Sequence, residues 1–187
     1  MPTVSPRSAA ADRNLPAVRL RVPTHEDAHS WYRVFDDPEV MAFLGGSSAE
    51  RSAYEELTAR QRRHHAELGF CLWTVTAFPR EGGTADTAGE TVLGFAGAQP
   101  WPHSWGPVGE IEIGWRLGRA HWGRGYATAA MLAGLDAVRA AGVGRVAAVV
   151  DPRNTRSVAI AERLGMARGE EYEAPGGRWV RVFRLEC

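Results

Sequence analysis

The 187-residue sequence contains no lysine; all 22 of its basic residues are arginine. A nucleotide-triphosphate loop of the form G-x-x-x-x-G-K-[ST] is thereby excluded, and the bias itself reads first as a GC-rich coding sequence. Cysteine is almost as scarce. Cys71 and Cys187 stand far apart, with no metal-ligand spacing and too few thiols for a disulfide framework, which fits a reducing compartment and predicts no metal. No apolar run approaches the length of a membrane span, and the polar stretch Met1 to Ala17 has no hydrophobic signal region. We therefore expect a cytoplasmic protein with no membrane partner, a flexible tail over 1–17 and a single domain over 18–187. Net charge is absent too, with 22 acidic residues balancing the arginines, so no bulk field attracts nucleic acid. Oligomeric state stays open, a homodimer included.

What is present is an ordinary globular mixture, 44% hydrophobic and 24% charged. A short strand is expected around Val18 to Val22, then a helix capped at Thr24 with Ala28, Trp31 and Phe35 on one face. Asp37-Pro38-Glu39 restarts a short helix, and Ser47 with Glu50 forms a capping box for a long one ending near Leu68. The second half of that helix carries Arg60, Arg62, Arg63, His64 and His65, a solvated face first and an acidic partner's contact second. Two strands follow, Phe70 to Phe78 and Thr91 to Ala98, around a surface loop from Pro79 to Glu90. A second loop, Gln99 to Gly109, holds Trp101, His103 and Trp105.

A strand from Glu110 to Leu117 runs into the glycine turn at 118–125, an amphipathic helix reaching about Ala141, and a nearly all-apolar strand from Arg145 to Asp151. This is a βαβ unit, whose crossover should be right-handed and whose strands should be parallel. A helix from Thr155 and an antiparallel pair turned at Pro175-Gly176-Gly177 complete the chain.

The glycine turn is where chemistry can begin. A strand-to-helix turn gathers unpaired N–H groups at the positive end of a helix dipole, and Gly123 and Gly125 allow an anion close to the main chain. Glycine used only to bend the chain is the plainer reading. A dinucleotide fingerprint fails, since Gly123-Arg124-Gly125-Tyr126-Ala127 continues with Thr128 where the third glycine belongs.

The run Glu110-Ile111-Glu112-Ile113-Gly114-Trp115-Arg116-Leu117, followed by Trp122-Gly123-Arg124-Gly125-Tyr126-Ala127-Thr128, resembles the central motif of the GNAT superfamily of N-acetyltransferases. Trp122 departs from the Gln or Arg that opens the usual Q/R-x-x-G-x-G/A signature, but W-G-x-G-Y-A-T is the form in the branch of bacterial ribosomal-protein N-terminal acetyltransferases, the RimJ/RimL type. Asn154, Ser157 and Ala161-Glu162-Arg163-Leu164-Gly165-Met166 resemble that branch's N-x-x-S…E-K-L-G-F segment, and Asp37-Pro38-Glu39-Val40-Met41 its D-P-E-V-M stretch. The resemblance spans Val18 to Leu185.

The resemblance implies an α/β fold with a mixed, mostly antiparallel sheet, a splayed parallel strand pair and flanking helices. It implies acetyl-CoA as co-substrate and a primary amine, a protein N-terminus or a small molecule, as acceptor. Trp115 and Leu117 would offer backbone groups to pantetheine. The N–H groups of Trp122, Gly123, Arg124, Gly125, Tyr126 and Ala127 would hold the pyrophosphate with Thr128 nearby, and Asn154 would bond the pantetheine arm or cap its helix. Glu110 and Glu112 alternate with isoleucine and so share one strand face. Glu112 matches the acid before the family's I-G-Y/W element and is the first candidate base, with pairing to an arginine as its structural alternative. Ser157 matches the serine that faces the thioester sulfur. Trp101, Trp105 and Glu110 are candidates for the acceptor side, although packing would explain the tryptophans equally well. Within an acetylating enzyme, absence of lysine could also protect its own side chains. A module that binds acyl-CoA without catalysis is the alternative function.

Overall fold

The computed structural model describes residues 15–46, 49–77 and 90–187. In chain order the elements are β1 (Arg19–Arg21), α1 (Asp27–Phe35), α2 (Pro38–Met41), α3 (Arg51–Leu68), β2 (Leu72–Ala77), β3 (Thr91–Pro100) and β4 (Ile111–Leu117). A 3-10 turn (Arg119–His121), α4 (Tyr126–Ala140), β5 (Arg145–Val150), α5 (Thr155–Arg163), β6 (Ala167–Ala174) and β7 (Arg178–Glu186) follow. The strands form one sheet in the order β1-β2-β3-β4-β5-β7-β6. All neighbours are antiparallel except β4 and β5. Among the described residues no helix is long and apolar enough to cross a membrane.

Strand alternation gives the sheet two different faces. Ala96, Ala98, Ile113 and Leu117 turn toward α4 and α5, where Met131, Leu135 and Val138 of α4 are fully buried. Leu72 and Phe95 turn the other way and pack with Trp31 and Phe35 of α1 and Tyr54 of α3. The stripe predicted for α1, Ala28, Trp31 and Phe35, is buried to within 1%. The helix begins at Asp27, not at a Thr24 cap. Asp27 accepts from the Thr24 amide at 2.7 Å and the Thr74 hydroxyl at 3.0 Å and pairs with Arg21, which ties β1, α1 and β2 together. Burial alone would raise its pKa, but these partners outweigh burial and hold it below the ordinary carboxylate range.

Asp37 caps α2 as expected, accepting from the Glu39 amide at 2.8 Å. Ser47 of the expected capping box lies outside the described residues, as do most of the 79–90 loop and the tail up to residue 14. Glu50 stands at the N-cap of α3 with no side-chain cap bond. β3 runs two residues further than its composition suggests, to Pro100, which makes Gln99 a strand residue rather than the start of a loop.

Candidate active site

β4 and β5 pair through only two register positions, Ile111 with Val146 and Glu112 with Ala147. Beyond them the strands part. On its other edge β4 stays paired with β3 as far as Leu117. Backbone groups of β4 on the open edge are therefore left for a ligand that runs alongside like a strand. The parting opens into a cavity of about 1180 Å³ that reaches both faces of the sheet.

At one end of the opening lies the glycine turn. Gly123 and Gly125 both have left-handed backbones, with φ of 71° and 81°, and Gly125 is the N-cap of α4. Alternating handedness of this kind points successive N–H groups into one concavity at a helix N-terminus. Gly123, Gly125, Tyr126, Ala127 and Thr128 line the cavity; the Arg124 side chain is exposed and does not. Trp122 explains its own departure from the usual signature. Its indole donates to the Leu117 carbonyl at 2.7 Å, and Arg156 lies over its ring at 4.9 Å. The side chain thus pins the end of β4, and it takes one lone pair of the Leu117 carbonyl that was expected to serve a ligand.

Across the opening, Asn154 accepts from the Ser157 amide at 3.2 Å, so it caps α5 while its NH₂ group remains a donor toward the cavity it lines. Trp115 donates its indole N–H to the Ser157 hydroxyl at 3.4 Å. A hydroxyl that accepts in this way keeps its own proton to donate elsewhere.

Glu112 lines the cavity from the opposite face and is only partly exposed. The Gln99 amide donates to it at 3.1 Å, Gln61 donates to Gln99 at 2.8 Å, and the Leu72 amide donates to Gln61 at 2.9 Å. This relay of fully assigned partners fixes the carboxylate. Burial pushes Glu112 up to about 7, against the opposing pull of the Gln99 bond and of the charges on Arg116 and Arg60. A carboxyl poised near neutrality can accept a proton at physiological pH.

Glu110 corrects the sequence reading. It is locked by Arg184 at 2.8 Å, with Arg145 at 3.7 Å, and does not line the cavity. The Arg184 bond chiefly holds its pKa below the ordinary range. The ion-pair alternative considered for Glu112 belongs to Glu110. The two tryptophans do line the cavity, but as one packed unit. Trp101 donates its indole N–H to the Trp105 carbonyl, the two rings meet edge to face at 5.1 Å, and His103 stacks on Trp105 at 5.2 Å.

Sequence reasoning missed Gln61, Gln99, Arg60 and Arg116. The signal for the first two was a polar residue on a buried stripe: Gln61 falls on the face of Tyr54 and Thr58, and Gln99 continues the alternation of Phe95 and Gly97.

The acetyltransferase (GNAT) domain family matches residues 17–167. The chain belongs to the GNAT acetyltransferase family. It is thus an acetyl-CoA-dependent acyltransferase, and the GNAT fold expected from its sequence is the one observed. Among its relatives is the uncharacterised protein YkkB of Bacillus subtilis strain 168, 32% identical over 151 residues, which cover 80% of this chain and 81% of that one. The fold is shared with Mycobacterium smegmatis RimJ, solved with CoA-disulfide, at a TM-score of 0.68 and 19% identity over 91% of this chain and 82% of that one. It is also shared with yncA of Salmonella typhimurium, solved with acetyl-CoA, at a TM-score of 0.65 and 17% identity over 91% and 94%.

Proposed function

We propose that this GNAT protein transfers the acetyl group of acetyl-CoA to a primary amine by direct attack, with Glu112 as general base and Ser157 as proton donor to the leaving sulfur. The observation that carries this reading is the Glu112 carboxyl, held by the Gln99–Gln61 relay in the wall of the cavity with a pKa near neutrality. In the reaction a C–N bond forms, the thioester C–S bond breaks, and the sulfur leaves with the bonding pair. Glu112 removes the proton that keeps an alkylammonium unreactive at neutral pH. A main-chain N–H near Trp115 polarises the carbonyl, and the Ser157 hydroxyl, already accepting from Trp115, supplies a proton to the thiolate.

The cavity supports a fit for the co-substrate. The open edge of β4 at Trp115, with Leu117 in a reduced role, receives the pantetheine amides, and the Asn154 NH₂ reaches the arm. The main chain from Trp122 to Ala127, Arg124 included, cradles the pyrophosphate beside Thr128, with the Gly123 position open: a Cβ there would meet nothing within 4 Å. A single domain over 18–187 is supported by β7, which lies beyond the matched family region yet sits between β5 and β6 in the sheet. Release of free thiol from acetyl-CoA in the presence of an amine panel tests the reading. A module that only bound the co-substrate would release none.

Two expected results follow from the geometry around Glu112 and the aromatic loop. Gln99 donates to the carboxylate and favours its charged form, so Gln99→Leu raises the pKa further above its already elevated value. Because the base works deprotonated, the acid limb of the kcat/KM profile, near pH 7 in the parent, should move up by roughly one unit, as expected for loss of one hydrogen bond to a charge. A limb that stays in place in a normally melting variant would dissociate Gln99 from the base.

Trp105→Ala keeps the backbone carbonyl that Trp101 bonds but removes the ring from the cavity wall. It should raise the acceptor's KM several-fold, in line with about 0.5–2 kcal/mol for an aromatic contact with an ammonium, and leave that of acetyl-CoA alone. Equal losses for both substrates with a lowered Tm would make the ring purely structural.

A further inference from the structure

What else the amine carries is written in the charges around Glu112; this inference rests on the acetyl-transfer reading above. The two faces of β4 divide the cavity between them. Ile113, Trp115 and Leu117 turn to the α4 and α5 side, where the glycine turn begins α4 and Ser157 meets Trp115. Glu112, Gly114 and Arg116 turn to the side of α1 and α3, opposite Gln99, Gly97 and Phe95 of β3. On that second side the guanidinium groups of Arg116 and, from α3, Arg60 line the cavity.

Among the described residues no carboxylate lies within ion-pair distance of Arg60 or Arg116, whereas Arg21, Arg153, Arg181 and Arg184 are all paired. The Nε of each is buried without a hydrogen-bond partner. Arg116 is the more deeply placed, its guanidinium over the rings of Phe35 at 5.2 Å and Phe95 at 5.3 Å, with the Tyr54 phenol beside it. The other carboxylates that line the cavity are committed, Glu39 to Arg119 at 2.8 Å and Asp151 to Arg153 at 2.7 Å. Glu112 is engaged by Gln99 and is needed for the proton.

A buried guanidinium without a counter-ion is costly, and two beside one shared carboxylate leave that arm of the cavity with surplus positive charge. Burial indeed lowers the pKa of Arg116, the direction expected of a desolvated cation. A multiply charged polyamine would be repelled there. A zwitterion fits: its anionic end satisfies the arginines, and their charge favours the neutral form of its amine, the form that attacks.

We propose that the acceptor is a small amine that also bears a carboxylate, of the free amino-acid class, with the amine turned to Glu112 and the carboxylate held by Arg60 and Arg116.

The test compares free L-amino acids with their amides and with spermidine, at saturating acetyl-CoA, on the full chain. At least one acid should exceed its amide in kcat/KM by roughly 10- to 100-fold, the worth of hydrogen bonds to a charged group. Arg60→Gln should collapse that ratio to a few-fold by raising the KM of the acid, with the KM of acetyl-CoA unchanged. Arg116→Gln should act likewise; because Arg116 packs on two rings and its loss could disturb folding, Arg60→Gln with an unchanged melting curve is the deciding variant. Amides or spermidine as good as the acids would overturn the inference while leaving acetyl transfer at Glu112 intact. A KM for acetyl-CoA that rises instead would assign the arginines to the phosphates of the co-substrate and overturn it too. Failure of every amine to release thiol would bring down the acetyl-transfer reading, and this inference with it.

Discussion

Glu112→Gln should lower kcat by about 10²-fold or more, the usual contribution of a positioned general base, and leave the Kd of acetyl-CoA nearly unchanged. The substitution is close to isosteric and keeps an acceptor for the Gln99 amide that lies 3.1 Å from the carboxylate, so the loss reports proton transfer rather than collapse of the relay. Part of the rate should return above neutral pH, where more of the amine is already free of its proton. Ser157→Ala should cost less. A thiol has a pKa near ~8.5, so the sulfur leaves with only modest help, and the Ser157 amide that caps against Asn154 survives the change. Single-turnover rates with calorimetric Kd values separate these effects. A Glu112→Gln enzyme with the parent rate at pH 7 would retire the carboxylate and point to a water chain, because Glu110 is occupied by Arg184.

The contrast between those two glutamates shows what a sequence can carry. Strand alternation puts Glu110 and Glu112 on one face, and nothing local distinguishes them. The distinction arises two strands away, where the long Arg184 side chain of β7 reaches Glu110 across β5. The βαβ core was legible because its signals are local. Apolar alternation marks β4, two glycines mark the turn, and Met131, Leu135 and Val138 mark the buried stripe of α4. The strand splay was visible only through the family resemblance, since no residue in β4 or β5 announces where pairing stops. Arg60 was masked by its neighbours. In the run with Arg62, Arg63, His64 and His65 it reads as a solvated face, and only the packing of α3 against the sheet turns it into the cavity. Gln99 was hidden by Pro100, which suggests a loop, whereas β3 runs on through Gln99 and ends at Pro100 itself.

Gly125→Glu should weaken acetyl-CoA binding by about 10²-fold, through the backbone more than through the new charge. Gly125 holds φ at 81° as the residue before α4, and an L side chain in that conformation costs roughly 1–2 kcal/mol. A Cβ built there meets the Pro16 Cδ at 3.1 Å and the Leu15 Cδ2 at 3.2 Å. The new side chain is therefore aimed at the Leu15–Pro16 segment, not directly at the anion site. Relief of that contact has to rotate the peptide groups on either side, and these carry the N–H donors of the turn. Losing one hydrogen bond to a charged phosphate, at about 1.5–3 kcal/mol, accounts for the loss of affinity. Gly123→Ala is the matched control, since φ there is 71° but a Cβ meets nothing within 4 Å. Strain alone, carried by the free and the bound protein alike, should lower the Tm and leave the Kd close to that of the parent. Titration calorimetry on both variants, each with a confirmed cooperative melt, gives the comparison. A Gly125→Glu protein that binds acetyl-CoA as tightly as the parent would remove the glycine turn from the phosphate site.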